Sequence, residues 1–245
     1  MADPRVKIIK KRLEKVKRVI AVSSGKGGVG KSLVSSTFAL TLVNKNFKVG
    51  LFDADFTSPS THLILGVEEI KTEEKMGILP AQVHGLKYMS IVAFSREKTL
   101  PLRGIDVSNV LLELFSTTLW DDLDFLIIDM PPGISDVTLD IIRLVEKMEF
   151  LVVTTPSPLA FETVDKLLRL LKELKVPVVG VLENMKIKQS HFVKQKVEHA
   201  GFAFLGEIPF YPEIEDVLGD VDALYRTDFA RKIAEVTSKI FSPLG

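Results

Sequence analysis

Gly25-Lys26-Gly27-Gly28-Val29-Gly30-Lys31-Ser32 decides the reading of this 245-residue chain. The spacing is Gly-x-x-x-x-Gly-Lys-Ser/Thr, a P-loop. The run before it, Arg18 to Ser24, is apolar and β-branched and reads as a buried strand. The run after it, Leu33 to Leu42, reads as a helix. Glycines let consecutive backbone N–H groups turn inward around an anion, and the helix N-terminus adds its dipole. Residues Gly27, Gly28, Val29, Gly30, Lys31, Ser32 and Leu33 are the expected phosphate cradle. Lys31 is expected to reach the β- and γ-phosphates of a nucleoside triphosphate, and the Ser32 hydroxyl to ligate Mg²⁺.

Composition narrows the setting. With 46% hydrophobic residues, the chain can bury one well-formed α/β core. Thirty-two basic residues balance 32 acidic ones, so no global field draws it to nucleic acid or a membrane. There is no cysteine, which removes disulfides, thiolate nucleophiles and thiolate metal sites from these residues. No run reaches the ~18 apolar residues of a membrane span. Residues 5 to 18 are too charged for a secretory h-region, so a soluble cytoplasmic protein is expected.

Two further strands deliver acids. Lys48 to Asp55 reads as a strand ending in Asp53 and Asp55. If it persists, the two carboxylates share one direction at the edge where α/β sheets bind ligands. Alternatively they cap the next helix. Asp124 to Asp129 is an apolar run ending in an acid, the Walker B arrangement that holds Mg²⁺ beside a P-loop. Strands are also read over Leu86 to Val92, Phe150 to Pro156 and Val178 to Leu182. Helices are read over Val107 to Phe115, Ala160 to Lys175 and Tyr225 to Ile240, the last closing on the sheet. Residues 67 to 82 read as polar loop, and Leu100 to Gly104 as a turn. The fold expected is α/β: a doubly wound, mainly parallel sheet with helices on both faces, one domain over residues 18–245. Ahead of it, residues 1–17 carry seven basic residues with Val6, Ile9, Leu13 and Val16 at helical spacing. This basic amphipathic helix either packs on its own domain, docks an acidic partner, or meets a membrane or nucleic-acid surface.

The second lysine of the loop carries a resemblance. Lys26, directly after the first glycine, makes the segment similar to the deviant P-loop of the MinD/ParA/Mrp class of ATPases. In that class this lysine reaches the phosphates of a partner subunit, which implies an ATP-dependent homodimer with Lys26 acting in trans. Asp53 to Ser60 resembles the Asp-Ala-Asp-x-x-x-Pro-Ser segment of Mrp-type members. That implies Asp55 positions the attacking water and Asp53 lies near the Mg²⁺ shell. Asp129 to Asp136 resembles the Asp-x-Pro-Pro-Gly-x-x-Asp second switch, with Ile134-Ser135 where the family has Thr-Gly, and with Gly133 free to offer its N–H to the γ-phosphate. Glu183-Asn184-Met185 resembles the family's adenine site, Asn184 bonding the base edge unless it is a loop cap. Pro209, Phe210 and Tyr211 resemble the segment that closes over the base. The guanine-specific Asn-Lys-x-Asp pattern does not occur.

The resemblance implies ATP/ADP and Mg²⁺ as ligands, with Asp55, Lys26 and Lys31 catalytic and Ser32, Asp53 and Asp129 at the metal. Cluster-carrying relatives have a Cys-x-x-Cys after the Glu-Asn-Met segment, where this chain has Lys186 to His191. The four scattered histidines, His62, His84, His191 and His199, show no metal-ligand spacing. The chain resembles a cysteine-free archaeal branch whose ATPase takes the HypB role in nickel insertion during NiFe hydrogenase maturation. That implies a HypA-type nickel metallochaperone as partner, and neither nucleic acid nor a membrane. The alternatives are an iron–sulfur maturation ATPase that uses a partner's ligands, a MinD/ParA-like positioning switch, and an ATP-binding protein without turnover. The partner surface falls either on the N-terminal helix or on residues 67–118.

Overall fold

Alternate residues of the strand before the P-loop look to opposite sides. Val19 and Ala21 enter one layer of core, and Ile20 and Val22 the other. A strand buried on both faces needs helices on both faces, and it has them.

The structure, a computed structural model, describes residues 3–94 and 105–241. In chain order the described elements are α1 (Arg5–Leu13), β1 (Val16–Ser24), α2 (Lys31–Asn44), β2 (Val49–Asp53), α3 (Thr61–Ile64), β3 (Glu73–Lys75), β4 (Gly77–Leu79), β5 (Ala81–Val83) and β6 (Leu86–Ser90). There follow α4 (Ile105–Thr117), β7 (Leu123–Asp129), α5 (Asp136–Leu144), β8 (Met148–Thr154), α6 (Pro158–Glu173), β9 (Val178–Lys186), α7 (Phe192–His199), β10 (Phe204–Pro209), α8 (Val221–Tyr225) and α9 (Asp228–Phe241). Short 3-10 turns occupy Ile91–Phe94 and Pro212–Val217. The main sheet has the order β10-β9-β8-β1-β7-β2-β6-β5, parallel throughout except for β5 against β6. The expected doubly wound, mainly parallel α/β fold is the one observed.

Helices α1, α4, α5, α6 and α7 pack one face, around Phe52, Phe115, Trp120, Phe150 and Phe161. Helices α2, α3, α8 and α9 cover the other, around Phe38, Leu42, Leu51, Phe229 and Ile233. The chain leaves β1 toward β2 on one side and later returns to β8 on the other. The P-loop therefore sits at the point where the winding reverses, the place such sheets bind ligands.

Several boundaries differ from the sequence reading. The N-terminal helix ends at Leu13, and Val16 and Lys17 already belong to β1, where Val16 pairs with Leu123. Ile9 is fully buried, and Val6 and Leu13 lie against the same cluster. Arg12 donates to the carbonyls of Ser116 and Met76, so the helix is packed on its own domain. Residues 67–82 are not all loop: β3 and β4 form a hairpin and β5 closes the sheet edge. Three-residue strands lie below the length at which alternation can be read. The final helix breaks at Arg226-Thr227, where Asp220 caps α8 through Ala223 N and Thr227 Oγ1 accepts from Ala230 N. The turn expected at Leu100 to Gly104 lies outside the described residues. Among the described residues no helix is long and apolar enough to cross a membrane.

Candidate active site

The C-terminal ends of β1, β2, β7 and β9 deliver the P-loop, Asp53, Asp129 and Asn184 to one edge of the sheet. Above that edge lies a cavity of about 570 Å³, within the ~300–1,000 Å³ range of ligand pockets. Lys26, Gly27, Gly28, Val29, Gly30, Lys31, Ser32 and Leu33 line one side. Asp55, Asn184, Pro209, Phe210 and Tyr211 line the others. Asp53 and Asp129 are buried beneath it, behind the side chains of the loop.

The loop has the backbone its motif demands. Gly28 and Gly30 take left-handed φ of +75° and +78°, which side chains with a Cβ avoid. A Cβ at Gly27 or Gly28 would meet nothing within 4 Å, so the cradle is open. A Cβ at Gly30 would come within 2.5 Å of Asn184 Nδ2, so this glycine permits a close approach. That amide donates to Val29 O at 2.9 Å and ties the end of β9 to the loop. Its carbonyl oxygen accepts no hydrogen bond among the described residues. Asn184 thus does more than was expected of a base reader: half of its amide holds the P-loop.

Asp129 organises the cations and hydroxyls. Its Oδ1 accepts from Lys31 Nζ at 2.8 Å and from Ser35 Oγ at 2.9 Å, and its Oδ2 from Ser32 Oγ at 2.7 Å. Ser35 was not singled out in the sequence. Its position one helical turn beyond Ser32 was the signal that could have found it. The shared direction expected of Asp53 and Asp55 does not hold, because β2 ends at Asp53. Asp53 pairs in register with Asp129, accepts from Asp55 N at 3.1 Å, and takes Thr61 Oγ1 at 2.6 Å and Thr61 N at 3.2 Å. The Thr61 hydroxyl also meets Tyr88 Oη at 2.8 Å. Burial first, and the Asp129 carboxylate second, push the Asp53 carboxyl up to about 7 against the pull of Thr61. Asp55 turns toward the cavity, with Oδ1 accepting from Thr57 Oγ1 at 2.8 Å and Ser58 N at 3.2 Å. Thr57 and Ser58, also missed, fix that carboxylate.

Gly133 takes φ +78°, but its N–H is not free as expected: it donates to Ser24 O at 2.8 Å. The carbonyl at the end of β1 supplies that acceptor, and a backbone donor is rarely left without a partner. Ser135, which replaces the family's glycine, caps α5 by accepting from Thr138 N. The four histidines form no cluster: among the described residues no group of three or more His, Asp and Glu could hold a metal ion.

A P-loop opening a helix at the winding reversal, with a Walker B acid on the adjacent strand, defines a P-loop NTPase of the MinD/ParA-like fold. Comparison places it more closely. The family described as "ParA: NUBPL iron-transfer P-loop NTPase" matches residues 15–244, and this chain belongs to that family. An iron–sulfur cluster carrier protein of Aquifex aeolicus is 37% identical over 223 residues, covering 84% of this chain and 61% of that protein. The chloroplastic Fe-S cluster assembly factor HCF101 of Oryza sativa is 42% identical over 176 residues, covering 71% of this chain and 33% of that protein. The chain thus spans less than two thirds of the length of one relative and about a third of the other. Among solved structures, a nucleotide-binding protein from Archaeoglobus fulgidus in complex with ADP superposes with a TM-score of 0.74 at 27% identity, over 95% of this chain and 92% of that one. The cell division ATPase MinD of Pyrococcus furiosus gives 0.71 at 22% identity, over 92% of this chain and 98% of that one, a likeness of fold alone.

These relatives overturn the nickel reading. The expectation of hydrogenase maturation with a HypA-type metallochaperone rested on resemblance to a cysteine-free branch and on a missing Cys-x-x-Cys. Relatives at 35–42% identity are named iron–sulfur cluster carriers or assembly factors instead. An absent ligand pair says which atoms this chain does not contribute. It does not say which metal the system handles.

Proposed function

We propose that this chain is an ATP-hydrolysing factor of iron–sulfur protein maturation, which acts on a cluster held by the thiolates of a partner chain. The observation that carries the reading is a complete NTPase constellation in a chain without cysteine whose relatives are named cluster carriers. The cluster is cargo here. The 245 residues supply no thiolate for it, and in this reading its ligands are a partner's.

The site fits a nucleotide. The open Gly27-Gly28 backbone and the N-terminus of α2 suit phosphates, and the free carbonyl of Asn184 suits the amino group of adenine. Lys31 rests against Asp129, already desolvated and aimed at the loop, and exchanges that partner for the β- and γ-phosphates. Ser32 Oγ and Asp129 would hold Mg²⁺, which would offset the charge developing on the phosphates. Asp55, held by Thr57 and Ser58, orients water for in-line attack. Asp53 is buried one layer below and supports the loop through Asp55 N. Lys26 is exposed and lines the cavity; in this reading it reaches the phosphates of a second copy. Breaking Gly133 N–H to Ser24 O would release the second switch to sense the γ-phosphate.

The test is cluster transfer. A cysteine-bearing scaffold loaded with a 4Fe–4S cluster is mixed with an apo-acceptor, with and without this protein and ATP. Acceleration of acceptor reconstitution by the protein with ATP, and not with ADP, is expected. Identical rates in all mixtures, with ATP hydrolysis intact, would remove the maturation reading and leave only the NTPase.

A further inference from the structure

The cavity has two walls beyond the P-loop: the end of β9 at Asn184-Met185, and the segment after β10 from Pro209 to Tyr211. One buried side chain joins them. Lys186, the last residue of β9, is 8% exposed. Its ammonium donates to Ser190 O at 2.6 Å and to the Glu207 carboxylate on β10, and lies 3.6 Å from Glu183 Oε2. Its backbone carbonyl accepts from Phe210 N at 3.0 Å. Glu183 is 1% exposed, and neither of its carboxylate oxygens finds a hydrogen-bond donor among the described residues. Burial pushes the Glu183 carboxyl up, and Lys186 opposes that. Between Asn184 and Lys186, Met185 is held at φ +58°, a left-handed conformation that a long side chain avoids.

These contacts are poorly explained as stabilisation. A buried ion pair gains little net stability, because desolvation offsets the attraction. Strained backbone persists where surrounding structure over-determines it. Here Lys186 over-determines a turn that keeps Asn184 Nδ2 on Val29 O and Phe210 N on the β9 carbonyl.

We propose that Lys186 is a positioning residue for nucleotide recognition: clamped by Glu207, Glu183 and Ser190 O, it fixes the two base-facing walls relative to the P-loop. Through them it sets the base's share of nucleotide affinity and the preference for adenine over guanine. The proposal deepens the adenine-nucleotide reading of this cavity and rests on it.

The experiment compares wild type, Glu207→Gln, Lys186→Met and Lys186→Arg for binding of ADP, GDP and inorganic pyrophosphate, by displacement of a fluorescent ADP analogue and by calorimetry. Glu207 is partly exposed, so its isosteric variant folds even where Lys186→Met leaves Glu183 unpaired and unfolds the chain. Loss of one charge-assisted contact predicts ADP binding weaker by about tenfold in Glu207→Gln and in Lys186→Met. Pyrophosphate affinity is unchanged, the ADP-to-GDP ratio shrinks, and Lys186→Arg recovers most of the loss. ADP affinity within about twofold of wild type in Glu207→Gln overturns the clamp. So does an equal loss of pyrophosphate, which would mark general damage to the loop. Wild type that binds pyrophosphate but not ADP would instead defeat the adenine reading, and the clamp with it.

Discussion

Asp55→Asn separates chemistry from binding at this site. The wild-type carboxylate accepts at Oδ1 from Thr57 Oγ1 and Ser58 N, while Oδ2 accepts from nothing among the described residues. An asparagine keeps the Oδ1 acceptor, so the loop that carries it stays in place. What changes is the second oxygen, which becomes an uncharged amide facing the cavity. Groups that move or orient a proton in a transition state contribute ~10²–10⁴-fold. A residue that orients water without taking its full proton contributes less than a full acid or base, and the floor expected is about tenfold, or ~1.4 kcal/mol of barrier. ADP affinity stays within about twofold, since only an interaction made on the way to the transition state is lost. The assay is phosphate release under saturating ATP, paired with calorimetric titration of ADP. Turnover within about threefold of wild type, with ADP binding intact, would take Asp55 out of the hydrolytic role.

Three further variants test the fold and the coupling. Ile9→Ala removes a fully buried side chain between α1 and the domain and costs about 2–5 kcal/mol by urea unfolding, whereas an accessory helix would lose almost nothing. Lys26→Ala leaves monomer fold and ADP binding unchanged but weakens the ATP-dependent dimer seen by light scattering, and an unaltered dimer would exclude the trans role. Asp53 titrates near 7 when folded and near 4 when unfolded, so the folded state binds more protons between those values. Its contribution to stability is complete below about pH 4 and is lost as pH rises toward about 7. Asp53→Asn, measured in chelator, therefore narrows its stability deficit, or gains on wild type, as pH climbs through that window. A difference that is flat with pH would show that Asp53 is not protonated in the folded protein.

The sequence carried the parts of this molecule that repeat along a regular element, and little of what depends on two elements meeting. The P-loop and the strands ending in Asp53 and Asp129 were legible, because a buried parallel strand is a continuous apolar run and its terminal acid stands out. That Asp53 is buried, and lies in register with Asp129 on the adjacent strand, so that both raise its carboxyl, depends on strand order, which no local pattern records. The same limit hid β3, β4 and β5, whose three residues hold too little alternation to register. It also hid the clamp. Glu183 and Lys186 stand at a strand end, and Glu207 lies 21 positions beyond Lys186 with nothing local to link them. Only the pairing of β9 with β10 brings them together. The error over nickel had a different origin. It rested on the resemblance to a cysteine-free branch and on the missing Cys-x-x-Cys, whereas in the segment in its place, Lys186 to His191, the buried Lys186 pairs with Glu207 and lies near Glu183 beside the walls of the nucleotide cavity. In the proposed clamp, that lysine holds the two base-facing walls in shape, a task that needs no metal and that the absence of a Cys-x-x-Cys could not reveal.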